Sequence, residues 1–182
     1  VISIYIWDAR PRTWGHGSMW INPGPLARQR YVSWWPQDPL AVPVLTCGPA
    51  VPRPPSYDWR AEGGWPSRVF LIANARRRID EAAMASAWDQ WTRVDCYAPP
   101  DRNCCTTIAQ LLFGAGGARL GHWYIEPLWW DPAGITRFVR LLAMVEPLRE
   151  VSGLGITPPP ETVPRAPASQ YFAHMETRVV TG

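Results

Sequence analysis

The sequence predicts a mixed α+β domain in which antiparallel strands pack against helices. Three observations predict it. Runs of β-branched and aromatic residues recur near the N-terminus, separated by turn signals. Two later segments carry apolar residues at helical spacing. The length of 182 residues suits one domain with its own core.

The elements follow in order. Residues 1–7, VISIYIW, read as a first strand. Pro11 and Gly15 turn the chain, and residues 16–21, HGSMWI, read as a second strand. Asn22-Pro23-Gly24-Pro25 is a strong turn signal. Residues 31–35, YVSWW, read as a third strand ended by Pro36, so the three form an antiparallel meander. Residues 36–66 are rich in proline and glycine and read as a long surface excursion. Residues 68–73, RVFLIA, give a fourth strand.

Over residues 79–94, Ile79, Ala83, Ala87 and Trp91 fall at helical spacing with Met84 and Trp88 beside them. Asp80 and Glu81 suit the first turn of that helix. Pro99-Pro100-Asp101 breaks the chain. Asn103 then caps a short helix, CCTTIAQLLFGAGG, which ends in glycines. Asp131 and Pro132 open a further helix over 132–145, with Ile135, Phe138, Val139, Leu142 and Val145 as its apolar stripe. After Val151 the chain is proline-rich, and residues 170–180 fit a strand, a helix or a mobile tail.

Composition narrows the function classes. The net charge of +3, with both signs interspersed, is too weak for a nucleic-acid surface. Arg76-Arg77-Arg78 reads as a solvated turn rather than a phosphate site. No run approaches the roughly 18 apolar residues of a membrane span, and the chain begins directly in a strand-like run with no signal peptide visible. It is consistent with a domain cut from a longer protein. The 21 prolines fit long irregular connections. The 12 tryptophans fit either core filling or a groove wall. All 18 basic residues are arginine. Codon bias in a GC-rich genome and avoidance of ubiquitination, whose target is lysine, both account for that.

The four cysteines are Cys47, Cys96, Cys104 and Cys105. They form no CxxC and make a poor disulfide framework. With three histidines they do not suggest zinc, so neither metal nor cofactor is expected. Cys47 and Cys96 read as plain small residues, and four free thiols point to a reducing compartment.

Two local patterns carry chemistry. One is a histidine opening a strand, Gly15-His16-Gly17-Ser18. The other is a cysteine at a helix start, Asn103-Cys104-Cys105-Thr106-Thr107-Ile108. A helix N-terminus and a nearby imidazolium both favour a thiolate, which is the nucleophilic form. Free N–H groups of the same helix start, at Cys104 and Cys105, suit an oxyanion. A strand packed beside the helix is a rigid platform for the histidine. Taken singly, His16 fits an ordinary strand-end histidine, and Cys104 an inert core residue. Cys105 is the rival nucleophile.

Asn103-Cys104 followed by Ile108, Leu111 and Leu112 is similar to the NCEHF motif of the lecithin:retinol acyltransferase family. That family belongs with the permuted NlpC-type and papain-like peptidases, in which the histidine strand precedes the cysteine helix, and the order here matches. The pattern GH-S-W, YVSWWP, NC-T, LL, GG also resembles bacterial effector-type domains of this permuted class. The likeness spans residues 1 to about 117 and rests on two short motifs.

The resemblance implies a permuted papain-like catalytic domain over 1–152, with a proline-rich extension over 153–182 that packs back on it. It implies Cys104 as nucleophile and His16 as base. It also implies a cysteine hydrolase of amide bonds, on a protein, peptide or peptidoglycan substrate, as peptidase, amidase or deamidase. A secreted effector or toxin domain acting in a reducing target-cell cytosol fits the missing lysines. One departure stands out: the acyltransferases place a second histidine on the third strand. Here that position falls near Ser33 or Trp34, so Ser33 becomes the candidate third member. A backbone carbonyl or a water would serve otherwise. Asp38, Asp58 and Asp95 are alternative orienters that nothing distinguishes, while His122 and His174 read as structural or exposed. A thioester-forming acyltransferase or lipid hydrolase is the second reading, with Trp59 and Trp65 as its only apolar anchors. An inactive Trp-rich binding module is the third.

Overall fold

β-Branched and aromatic residues do form the first strands. In the computed structural model the described residues are 1–11, 13–22, 29–38, 47–74, 79–94, 96–99, 101–116, 130–144, 146–151 and 177–180. They form β1 (Ile2–Trp7), β2 (His16–Ile21), β3 (Arg30–Val32), β4 (Trp34–Pro36), β5 (Ala50–Pro52), α1 (Pro55–Ala61) and β6 (Arg68–Ile72). Then come α2 (Glu81–Trp91), α3 (Cys104–Gln110), α4 (Pro132–Leu142), β7 (Leu148–Val151) and β8 (Thr177–Val180). The architecture is α+β. One antiparallel sheet runs β3-β2-β1-β6-β7-β8, and β4 and β5 form a separate pair.

β1 is buried along its whole length because both faces of the sheet are covered. Ile2, Ile4 and Ile6 join the main core with Met19, Ile108 and Phe138, on the side of α2, α3 and α4. Tyr5 and Trp7 point the other way and pack with Val69, Tyr31 and Trp59 of α1. A strand with period-2 side chains and two apolar faces reads as a continuous hydrophobic run. No helix among the described residues is long and apolar enough to cross a membrane.

Several expectations are corrected. The run 31–35 is two strands rather than one, β3 pairing with β2 and β4 with β5. The break is at Ser33, whose side chain is engaged by Asp58 and whose carbonyl accepts from the Arg53 N–H. The excursion 36–66 contains β5 and α1, the latter with Pro55 where a first turn tolerates proline. α2 is shorter than 79–94; Met84 and Trp88 of its expected apolar face are buried, with Ala85 beside them, and Ala87 and Trp91 pack against the core half-buried. α4 stops at Leu142 with Ile135, Phe138, Val139 and Leu142 of the expected stripe buried, and Val145 lies outside the described residues. α3 passes into a wider π turn over Leu111–Gly116. β7 has no counterpart in the sequence reading, and β8, from the C-terminal extension, pairs with it. Arg76-Arg77-Arg78 lies outside the described residues.

The free-thiol expectation also fails for one pair. Cys47 and Cys96 are disulfide-bonded, with Cα atoms 5.3 Å apart. Gly48 and Tyr97 exchange two backbone hydrogen bonds of 2.9 and 2.7 Å, which brings the preceding cysteines together across 49 residues of sequence. Closing a loop of that length removes unfolded-state entropy worth about 2–4 kcal/mol. Cys47→Ser, or added reductant, is therefore expected to lower the denaturation midpoint by a corresponding amount. Unchanged midpoints would show that the bond contributes nothing.

Candidate active site

Asn103 fixes the start of α3 from both ends of its amide. Its Oδ1 accepts from the Thr106 N–H at 2.8 Å, and its Nδ2 donates to the carbonyls of Pro99 (2.7 Å) and Trp130 (2.9 Å). The next residue, Cys104, thus sits in a first turn tied to the loop before it and to the entry of α4. α3 lies close against β2 because Gly17 has no side chain. A Cβ there would stand 2.9 Å from Ile108 Cδ1 and 3.3 Å from Cys105 Sγ. Gly17→Ala is expected to destabilise the fold by about 1–3 kcal/mol through overpacking and to separate Cys104 from His16. A thermal melt together with thiol reactivity checks both effects.

Cys104 is 7% exposed and Cys105 1%, with sulfurs 3.9 Å apart. Hydrogen bonding from Cys105, the charge and hydrogen bond of His16, and the Gly17 backbone N–H hold the Cys104 thiol well below its ordinary range, against the opposing effect of burial. Cys105 is pushed the other way by its bond to Cys104 and by burial. The two thiols are thus pushed in opposite directions, Cys104 down and Cys105 up.

His16 opens β2 and is 2% exposed. Burial opposes its charge, but Cys104 and Asp58 prevail and raise its pKa to about 10. Its Nε2 is 3.3 Å from Ser33 Oγ and 3.4 Å from Asp58 Oδ2. The same ring interacts with Cys104 by charge and hydrogen bonding. The ring stacks on Trp35 at 4.3 Å.

Asp58, fully buried on α1, is the hub. Its Oδ1 accepts from Ser33 Oγ (2.7 Å) and Trp35 Nε1 (2.7 Å), and its Oδ2 from the Tyr31 hydroxyl (2.6 Å). Ser18 Oγ in turn lies 2.7 Å from that hydroxyl. Burial raises a carboxylate, yet His16 and these donors keep Asp58 below its ordinary value. Ser33 Oγ donates to Asp58 and accepts from Trp35 Nε1 (3.0 Å) and His16, which uses a hydroxyl's full capacity.

The structure thus brings together His16, Cys104, Cys105 and Ser33. Of the candidate aspartates, Asp58 meets His16. Asp95, His122 and His174 lie outside the described residues. Trp59 and Trp65 are half-buried and packed on each other at 5.4 Å, with Trp59 against the sheet. That corrects their expected role as a projecting apolar anchor.

Sequence reasoning missed two groups. The Tyr97 hydroxyl interacts with the Cys104 side chain and backbone N–H. Burial and the two neighbouring sulfurs push its pKa up, so it stays a neutral donor. Glu62, at the end of α1, is also held near Cys104 and His16. No motif announced either one. The backbone N–H groups of Cys104 and Cys105 lie in the first helical turn, where no intrahelical acceptor exists.

A buried thiolate paired with an imidazolium, itself oriented by a carboxylate, can attack an electrophilic carbonyl and shuttle one proton. In comparisons with family models, curated proteins and solved structures, nothing matches this chain.

Proposed function

We propose that this chain is a permuted papain-like cysteine hydrolase acting on an amide bond, as peptidase, amidase or deamidase. The carrying observation is the buried succession Cys104, His16, Asp58, with the nucleophile in a first helical turn. The chain order of histidine strand before cysteine helix supports the permuted assignment.

In the proposed cycle the Cys104 thiolate adds to the carbonyl carbon. The resulting oxyanion is held by the backbone N–H groups of Cys104 and Cys105, with the Tyr97 hydroxyl beside them. Collapse breaks the C–N bond, and the departing nitrogen takes the proton from His16. A water then gives its proton to the neutral His16 and its oxygen to the thioester, and Cys104 leaves as thiolate. Ser33 and Asp58 hold the imidazole in place and stabilise its charge. The disulfide suits an oxidising compartment, which speaks against action in a reducing cytosol.

The pH dependence of alkylation, with the modified cysteine identified by mass spectrometry, tests the reading. Rate follows the thiolate fraction. A lowered Cys104 and a His16 raised to about 10 leave the ion pair intact across neutral pH. Cys104 is expected to react fast below about pH 7 and without a step near 8.5. His16→Ala should shift its profile towards the unperturbed value of about 8.5. Burial of Cys104, at 7% exposed, favours one rival, an inactive Trp-rich binding module. An inert Cys104, or one titrating normally, puts that rival first.

A further inference from the structure

Arg53 stands between β5 and α1 in the run Pro52-Arg53-Pro54-Pro55. Proline on either side stiffens its backbone, since each proline locks its own φ and Pro54 also drives Arg53 towards extended values. The Arg53 N–H donates to the Ser33 carbonyl at 3.1 Å. That bond continues the pairing in which Trp34 faces Pro52 and Trp35 faces Val51. Residues opposite one another in an antiparallel pair share a face. Arg53 therefore lies on the face of Ser33 and Trp35, the two residues that meet both Asp58 and His16.

Ring contacts give the same placement. The guanidinium lies over the Tyr57 ring, 4.6 Å from its centre. Tyr57 meets Trp35 edge-on at 5.3 Å, and Trp35 stacks on His16 at 4.3 Å. Gly17, the residue after His16, packs directly on Cys105 Sγ and Ile108 of α3. A cation is thus held on an aromatic shelf whose far end is the imidazole of the site.

This cation lacks a counter-charge. Arg53 is half-buried, its Nε is buried without a hydrogen bond, and among the described residues no carboxylate pairs with it. Asp58, the carboxylate on the same face, has its oxygens taken by Ser33, Trp35, Tyr31 and His16. Burying Nε unpaired is a cost, and it leaves the two Nη groups as the end of the fork that reaches outward. A guanidinium fork matches a carboxylate, which it grips through parallel N–H groups.

We propose that Arg53 is a specificity-determining residue that takes a carboxylate of the substrate, set off from the attacked carbonyl by the width of the Trp35 and Tyr57 shelf. This rests on the hydrolase reading of the site and adds a substrate class to it: amides with an acidic side chain or a free carboxyl end near the bond that is cut.

The test uses the full chain with its disulfide intact and N-iodoacetyl glycine peptides of graded length. One series is amidated and neutral, one ends in a free carboxylate, one is amidated with an aspartate, and one is amidated with a lysine. Alkylation of Cys104 is followed by mass spectrometry in low salt, and each rate is divided by that of the same probe with a free thiol. An acidic probe of matching length should outpace its neutral counterpart by about tenfold or more. Whether the aspartate or the chain end gains identifies the source of the carboxylate. Arg53→Gln should cut the gain at least about fivefold and leave the neutral probe within about twofold of native. A native protein that alkylates with the neutral probe but shows no acidic gain overturns the proposal and leaves the hydrolase reading standing. A gain shared by the lysine probe, or one that survives in Arg53→Gln, overturns it as well. So does a parallel fall for every probe in Arg53→Gln, which would make Arg53 a support for the shape of the site. A native Cys104 inert to every probe removes the hydrolase reading and this proposal together.

Discussion

Replacing Asp58 with asparagine is expected to lower turnover of amide probes by about 10²–10⁴-fold and to destabilise the fold by about 2–4 kcal/mol. The reason is donor arithmetic. Ser33 and Trp35 aim at one carboxylate oxygen, and Tyr31 and His16 at the other. An asparagine has one acceptor oxygen, and its NH₂ would face donors whichever way it turned. The imidazolium also loses its carboxylate, so His16 should titrate lower and Cys104 higher than in the native chain. The alkylation profile reads this directly, and a denaturant melt gives the stability. A variant with native turnover and a native profile would remove Asp58 from the site. The native carboxylate, being depressed, contributes stability present above its unfolded value and lost as pH falls through its folded one.

Cys104→Ala is expected to abolish turnover, a loss of at least about 10³-fold, with circular dichroism unchanged, because the side chain removed is small. Cys105→Ala should keep most activity. Its thiol donates to Cys104 rather than attacking, so its loss should raise the Cys104 titration modestly and cost about tenfold or less. Full activity in Cys104→Ala, or complete loss in Cys105→Ala, would reverse the assignment of nucleophile.

The chemistry-bearing ends of the site were legible in sequence, while the connection between them was not. Asn103 followed by cysteine announced a capped helix, and the cap is there. His16 at the head of a β-branched, aromatic run announced a strand. In YVSWW, Tyr31, Ser33 and Trp35 stand at alternate positions, and all three converge on Asp58. A period of two predicts that shared face, although the run divides between two sheets. Asp58 was illegible because it lies in a stretch whose prolines read as loop, and a one-dimensional pattern cannot say which of three aspartates folds back. Tyr97 and the disulfide were hidden for a related reason. Both depend on a two-bond backbone bridge between residues 48 and 97, for which side-chain periodicity leaves no trace.

The bond between Cys47 and Cys96 makes a covalent ring of the intervening chain. Asp58, Glu62 and β6 lie on that ring, while His16 and Cys104 lie on the two tails that leave it. A single peptide-bond cut inside the ring therefore cannot release a fragment. If a protease nicked the turn at Gly63 and Gly64, where the backbone takes positive φ and Gly63 is exposed, the product would migrate as one molecule without reductant and as two with it. The nicked molecule would still carry every named site residue.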